Sequence, residues 1–175
     1  GGTFDVSILK VKGNRFEVIA VDGDFHLGGD DFDLLLVEHL VEILQKQTKQ
    51  DMGIFRALLT KEKKENVSKE LLLAKQQLKE IAEQAKKDLS ESDTTHVQVP
   101  NILGTSLDEE ISLKAYNRLI TPLVDKTVAK MNAVLKAAKM KKGDIDRVIL
   151  VGGSTRNRLV KERVAETIKE PYISE

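Results

Sequence analysis

The chain has 175 residues, enough for one ordinary domain or two small subdomains, and 41% of them are hydrophobic, enough for a core. Lys plus Arg and Asp plus Glu both number 28, so no bulk charge steers it toward nucleic acid or a membrane surface. Without cysteine there is no disulfide and no thiolate metal site, and no apolar run reaches the ~20 residues of a membrane span or shows a signal-peptide pattern. The first residue is Gly1 rather than Met, and the chain is read as a piece of a longer one.

In chain order, Gly1-Gly2-Thr3 runs straight into an alternating strand from Phe4 to Leu9. Lys12-Gly13-Asn14-Arg15 is a hairpin turn into Phe16 to Val21, with Asp22-Gly23-Asp24 as the exit turn. A second glycine pair, Gly28-Gly29, follows His26-Leu27 and precedes the acidic run Asp30-Asp31-Phe32-Asp33. From Asp30 to about Lys49, Phe32, Leu36, Leu40, Val41 and Leu44 fall at helical spacing. The stretch beyond is rich in lysine, and its helical pattern weakens around Lys61 to Lys64; with no aromatic interleaved to stack bases, it is a solvated face and loop rather than a nucleic-acid patch.

From Val67 to Leu89 the pattern is helical again. Leu78, Ile81, Ala82, Ala85 and Leu89 form the core side, and Glu83, Lys86, Lys87 and Ser90 form a second stripe beside it. As surface charge, that stripe needs no more than an i, i+4 pair of Glu83 with Lys87. Thr94 to Ile111 looks like a strand or two. Ser112 can cap a helix from Leu113 through Ile120, with Thr121-Pro122 breaking or kinking it before a second helix whose apolar stripe runs from Leu123 to Ala138. Met131 on that stripe is a core residue.

The third glycine pair lies in Arg147 to Asn157, RVILVGGSTRN. Val148 to Val151 reads as a buried strand, Gly152 and Gly153 let the backbone turn and approach a ligand, and Ser154 or Thr155 can cap a helix from about Arg156 to Lys169. Such a strand, turn and helix start collects a phosphate or polar ligand on free N–H groups, or serves as a simple tight turn. Three glycine pairs at element boundaries point to a nucleotide cleft. Alternating strands and helices give an α/β layered unit, residues 1–27 and 111–175, with the more helical stretch 28–110 as a separate inserted subdomain.

GGTFDVSIL, GDFHLGGDDFD, EQAKKDLSES and VILVGGSTRN occur in that order. Together they resemble the nucleotide-binding domain of the seventy-kilodalton heat-shock chaperones of the DnaK type, and within it the second lobe, nearly end to end. The resemblance implies an actin-like ATPase fold, ribonuclease H-like, with a mixed sheet and flanking helices, and ATP or ADP with magnesium in a cleft between two lobes. Gly1, Gly2 and Thr3 match the second phosphate loop, with the Thr3 hydroxyl near the γ-phosphate. Asp5 matches a carboxylate that orders water around the magnesium, so Thr3 and Asp5 are the expected catalytic residues, with no direct metal ligand. On its own, Asp5 would be a strand-end aspartate satisfied by local backbone N–H groups.

Gly28 and Gly29 match linker glycines near the phosphates, and Phe25 stands where threonine is usual; His26 matches too, as a structural histidine. Glu83, Lys86, Lys87 and Ser90 match positions that hold adenine and ribose, with Lys87 replacing a frequent arginine and its planar stacking. Gly152, Gly153, Ser154 and Arg156 match the adenosine motif, where the arginine flanks the base; without the resemblance, Ser154 is a helix cap and Arg156 an exposed helix residue. Asn157-Arg158 replaces an apolar residue and a proline, which is expected to loosen the helix start. The region between Gln45 and Leu72 is longer than is usual in the family.

The family's own phosphate loop, lysine and glutamate of the first lobe, and an aspartate just upstream of Gly1, are not in this sequence. The expectation is a chaperone parent that couples ATP hydrolysis to binding unfolded polypeptide, and a stretch that alone binds adenine nucleotide weakly and hydrolyses nothing. Implied partners are lobe I, the peptide-binding domain, a nucleotide-exchange factor and a J-domain co-chaperone, with a cytoplasmic location and neither nucleic acid nor membrane. Two alternatives remain: a lobe acting mainly as a docking module for the exchange factor, and a small-molecule kinase of the actin-like superfamily. The kinase would not be expected to carry GDFHLGGDDFD or EQAKKDLS.

Overall fold

In a computed structural model of the chain, residues 2–24, 27–49 and 68–174 are described. Gly1, Phe25, His26 and most of the lysine-rich stretch, Lys61 to Lys64 included, lie outside them. The chain divides into two compact units, Gly1–Phe32 with Ile120–Glu175, and Asp33–Leu119. Helices α1 (Gly29–Thr48) and α3 (Leu113–Ala137) contribute residues to both.

The first unit begins with strands β1 (Phe4–Lys12) and β2 (Arg15–Asp24), an antiparallel ribbon whose turn uses Gly13 at φ +58°. That left-handed value costs glycine nothing. The register shifts by one between Ile8 and Leu9, leaving Ile19 as the extra residue of a β-bulge. Asp22-Gly23-Asp24 is not the exit turn its composition suggested. These residues extend β2 by pairing with Val6, Asp5 and Phe4, so ladder bonds override a local turn signal.

The unit closes with a strand–helix–strand segment: β5 (Ile149–Val151), α4 (Arg158–Thr167) and β6 (Tyr172–Ser174), the strands parallel and Ile149 opposite Tyr172. Arg147 lies over the Tyr172 ring, 5.6 Å from its centroid, a cation–π contact at the strand entrance. The expectation that Val148 to Val151 is buried fails: Ile149 is 61% and Val151 75% exposed. An apolar run shows that a strand is suited to burial, but a two-stranded sheet of three residues each covers little of it.

In the second unit, α1 buries Leu36, Leu40, Val41 and Leu44, at the spacing read from the sequence, and Val37 as well. Helix α2 (Lys69–Glu91) starts at Ser68, whose hydroxyl accepts from the Leu71 N–H, and buries Ala74, Leu78, Ala82, Ala85 and Leu89. It packs on β3 (Thr94–Ile102), which pairs antiparallel with β4 (Thr105–Ser112). The inward residues Val97, Val99, Ile102, Leu107 and Ile111 are buried and their neighbours are not. Pro100 sits in the register shift between Val99 and Ile102, where a missing N–H does little harm.

Ser112 caps α3 as expected, accepting from the Ala115 N–H at 3.0 Å. The expected break at Thr121-Pro122 does not occur: α3 is one helix of 25 residues with Pro122 inside it. Ile120 and Val124, on either side, are fully buried, and that burial outweighs the backbone hydrogen bond the proline forgoes. The α/β class holds, and among the described residues the strands form three separate two-stranded sheets, two antiparallel and one parallel, rather than one mixed sheet. Among the described residues no helix is long and apolar enough to cross a membrane.

Candidate functional site

The candidate residues fall in both units. In the first, Gly2 and Thr3 are exposed just ahead of β1, and nothing lies within 4 Å of where a Cβ on Gly2 would sit. The Asp5 carboxylate is exposed, and among the described residues none donates a hydrogen bond to it, so it is not the locally satisfied strand-end aspartate of the alternative. It has instead a steric relation to its cross-strand partner Gly23, whose absent Cβ would lie 2.6 Å from Asp5 Oδ1.

Gly28 is buried and acts as the N-cap of α1. Its carbonyl accepts from the N–H groups of Asp31 (3.0 Å) and Phe32 (3.3 Å), while its own N–H donates to Asp31 Oδ2 at 2.8 Å. This is half of a capping box with aspartate as the third residue, and Asp30 and Asp31 also complement the positive end of the helix. Gly29 opens the helix.

At the carboxyl end of β5, Gly152 has φ +103° and ψ 167°, a region that only glycine adopts without strain. Gly153 to Arg156 form one 3-10 turn, held by the Thr155 N–H donating to the Gly152 carbonyl at 3.1 Å and by the buried Thr155 hydroxyl donating to the same oxygen. Neither Ser154 nor Thr155 caps the following helix. Asn157 does, its Oδ1 accepting from the Val160 N–H at 3.1 Å, so α4 begins at Arg158 rather than near Arg156. An asparagine cap, worth about 1 kcal/mol, thus stands at the boundary where the proline is missing. Arg156 is exposed, and a Cβ at Gly152 or Gly153 would meet nothing within 4 Å. A turn so uncovered, at the carboxyl end of a parallel strand, is where open α/β sheets receive ligands.

In the second unit the stripe on α2 is engaged with itself and with α1. Lys86 Nζ is 2.9 Å from Asp33 Oδ1, a largely covered pair with side chains 25% and 15% exposed. Lys87 Nζ is 3.0 Å from Glu83 Oε1, and the Ser90 hydroxyl donates to the Lys87 carbonyl at 2.6 Å. Glu83 is held below the usual carboxylate range, first by the hydrogen bond from Lys87 and then by the charges of Lys87 and Lys86. The i, i+4 pairing read from sequence is thus present, and Asp33 is the partner that sequence reasoning missed. Asp33 belongs to the acidic run Asp30-Asp31-Phe32-Asp33 at the start of α1.

Two further features escaped the sequence: the Gly23 gap beside Asp5, and Asp22, which takes the Gly23 N–H at 2.8 Å and Lys130 Nζ at 3.3 Å. Among the described residues no group of three or more His, Asp or Glu is placed to hold a metal ion. The exposed glycine turns and the unbonded Asp5 carboxylate are compatible with a nucleotide and its hydrated magnesium.

The family model described as Hsp70 protein matches residues 1–174. The chain belongs to the Hsp70 family. Hsp70 proteins are ATP-binding chaperones of the heat-shock response with an actin-like ATPase fold, and the mixed α/β organisation here agrees with that fold.

Proposed function

We propose that this Hsp70 chain is lobe II of a DnaK-type nucleotide-binding domain, divided into a core subdomain (1–27 and 111–175) and an inserted one (28–110). Gly2 and Thr3, with Gly1, face the phosphates, Gly28 and Gly29 lie near them, and Asp5 orders water around magnesium. Gly152, Gly153, Ser154 and Arg156 receive the adenosine, and Glu83, Lys86, Lys87 and Ser90 hold its base and ribose. The observation that carries this function is the glycine turn after β5, strained for any residue but glycine at Gly152 and uncovered at both glycines. A turn kept in that conformation, with both glycines exposed and nothing within 4 Å of where a Cβ would stand, is suited to close approach of a ligand.

Because only Thr3 and Asp5 of the implied catalytic groups belong to this stretch, it binds ADP weakly and hydrolyses no ATP alone. In the whole protein, a cytoplasmic chaperone, hydrolysis would be coupled to unfolded polypeptide with a J-domain co-chaperone. Isothermal titration with ADP and magnesium tests the binding, and Gly152→Val should abolish the heat while far-UV circular dichroism stays unchanged. Single-turnover ATP hydrolysis above a Thr3→Ala control would exclude the inactive state.

A second function is favoured by the partners found on α2. With Lys86 held by Asp33, and Glu83 and Ser90 bonded to Lys87, the stripe is satisfied without a ligand. A lobe that serves mainly to dock a nucleotide-exchange factor would show no heat with ADP yet bind the factor.

A further inference from the structure

Gly23 is crowded where six other glycines stand open. A Cβ at Gly2, Gly13, Gly104, Gly143, Gly152 or Gly153 would meet nothing within 4 Å, whereas at Gly23 it would lie 2.6 Å from Asp5 Oδ1 and 2.9 Å from the Phe4 carbonyl oxygen. Gly23 does not need glycine for its backbone angle, since its φ lies outside the left-handed region. What remains is space. Asp5 and Gly23 are directly opposed across the ladder, so their side-chain positions share one face of the ribbon, and the carboxylate lies over the strand where a β-carbon would otherwise stand.

The glycine is itself held. Its N–H donates to Asp22 Oδ1 at 2.8 Å, and that oxygen also receives Lys130 Nζ, on α3, at 3.3 Å. Asp22 and Lys130 are both about two-thirds covered. Of two carboxylates one strand position apart on the ladder, Asp22 is thus bonded, and Asp5 accepts no hydrogen bond among the described residues. We propose that Gly23 is a positioning residue for Asp5: the missing side chain, in a backbone fixed through Asp22 and Lys130, sets where the Asp5 carboxylate presents itself to hydrated magnesium. This rests on the assignment of Asp5 to the nucleotide site.

Two measurements on the chain test it. The first is a stability cycle without nucleotide, by urea unfolding of Gly23→Ala, Asp5→Ala and the double variant. Gly23→Ala should lower the midpoint in both backgrounds, since the Phe4 carbonyl oxygen 2.9 Å away stays in each, and by more in the parent, where the Asp5 carboxylate must also turn aside. An equal loss in both backgrounds overturns the proposal, because the displaced group is then the Phe4 carbonyl alone. The second is calorimetry with ADP in magnesium and in EDTA. Gly23→Ala should weaken binding in magnesium by roughly tenfold, as loss of an outer-shell support does, and leave binding in EDTA unchanged. If Asp5→Asn weakens magnesium-dependent binding and Gly23→Ala does not, the proposal is overturned while Asp5 keeps its place in the site. If Asp5→Asn has no effect, or the parent chain binds no ADP, the assignment of Asp5 falls instead, and the stability cycle alone decides whether Gly23 positions it.

Discussion

The two antiparallel ribbons are nearly the same length, each turns through two residues and each carries a one-residue register shift, yet they meet solvent differently. In β3–β4 every large apolar residue faces one way and is buried, with α2 packed on β3 and the other face left to His96, Gln98 and Asp108, where His96 and Asp108 pair. In β1–β2 the apolar residues occupy both faces. Phe4, Val6 and Ile8 are half-buried on one, while Leu9, Val11, Phe16, Val18 and Val21 on the other are exposed, Phe16 at 71%. Alternation marks a strand covered on one side, and continuous apolar character marks one suited to cover on both. In the first ribbon β1 alternates from Phe4 to Leu9, and Val18 to Val21 of β2 has the second kind of sequence.

The contrast is most sharply tested by truncating one residue from each. Leu107→Ala, at 1% exposure, should cost about 2–5 kcal/mol in urea unfolding. Phe16→Ser, its counterpart on the open face, should stay within about 0.5 kcal/mol. A loss for Phe16→Ser as large as that for Leu107→Ala would mean that the face is covered in solution. The turns come next. Gly13 and Leu103 both occupy left-handed positions, at φ +58° and +50°. Gly13→Ala should destabilise by about 1 kcal/mol and Leu103→Asn should stabilise by somewhat less, since a leucine there is strained. Opposite signs in thermal melts support the steric account, and equal signs refute it.

The smallest effect concerns the charged face of α2, behind the buried hairpin. Because Glu83 titrates lower folded than unfolded, its pairing favours the folded state above the ordinary glutamate range and loses that contribution as pH falls through the folded value. Glu83→Gln should flatten the acid limb slightly in melts run from neutral pH downward.

The helical faces were legible because burial follows spacing: Leu36, Leu40, Val41 and Leu44 on α1, and Leu78, Ala82, Ala85 and Leu89 on α2, are all buried. The boundaries were less so, for reasons of competition. Asp22-Gly23-Asp24 carries turn chemistry but is claimed by pairing with Val6, Asp5 and Phe4. Pro122 carries a break signal but lies in a helix buried on both sides of it. Ser154 and Thr155 look like caps, but the Thr155 hydroxyl is drawn back to the Gly152 carbonyl, which hands the cap to Asn157. At the candidate site, residue types were visible and their partners were not, because Asp33 meets Lys86, and Gly23 meets Asp5, only across the fold.

The bulge in the first ribbon has an evolutionary corollary. Ile19 is the one residue of β2 without a cross-strand counterpart within the paired segment, so its deletion leaves Leu9 opposite Val18 and Ile8 opposite Ala20, with every side chain on its present face. Removing a paired residue such as Val21 instead would move the remainder of the strand by one position and exchange its two faces. Homologues of this segment should therefore differ in length by a single residue at position 19 before they do so elsewhere in the strand.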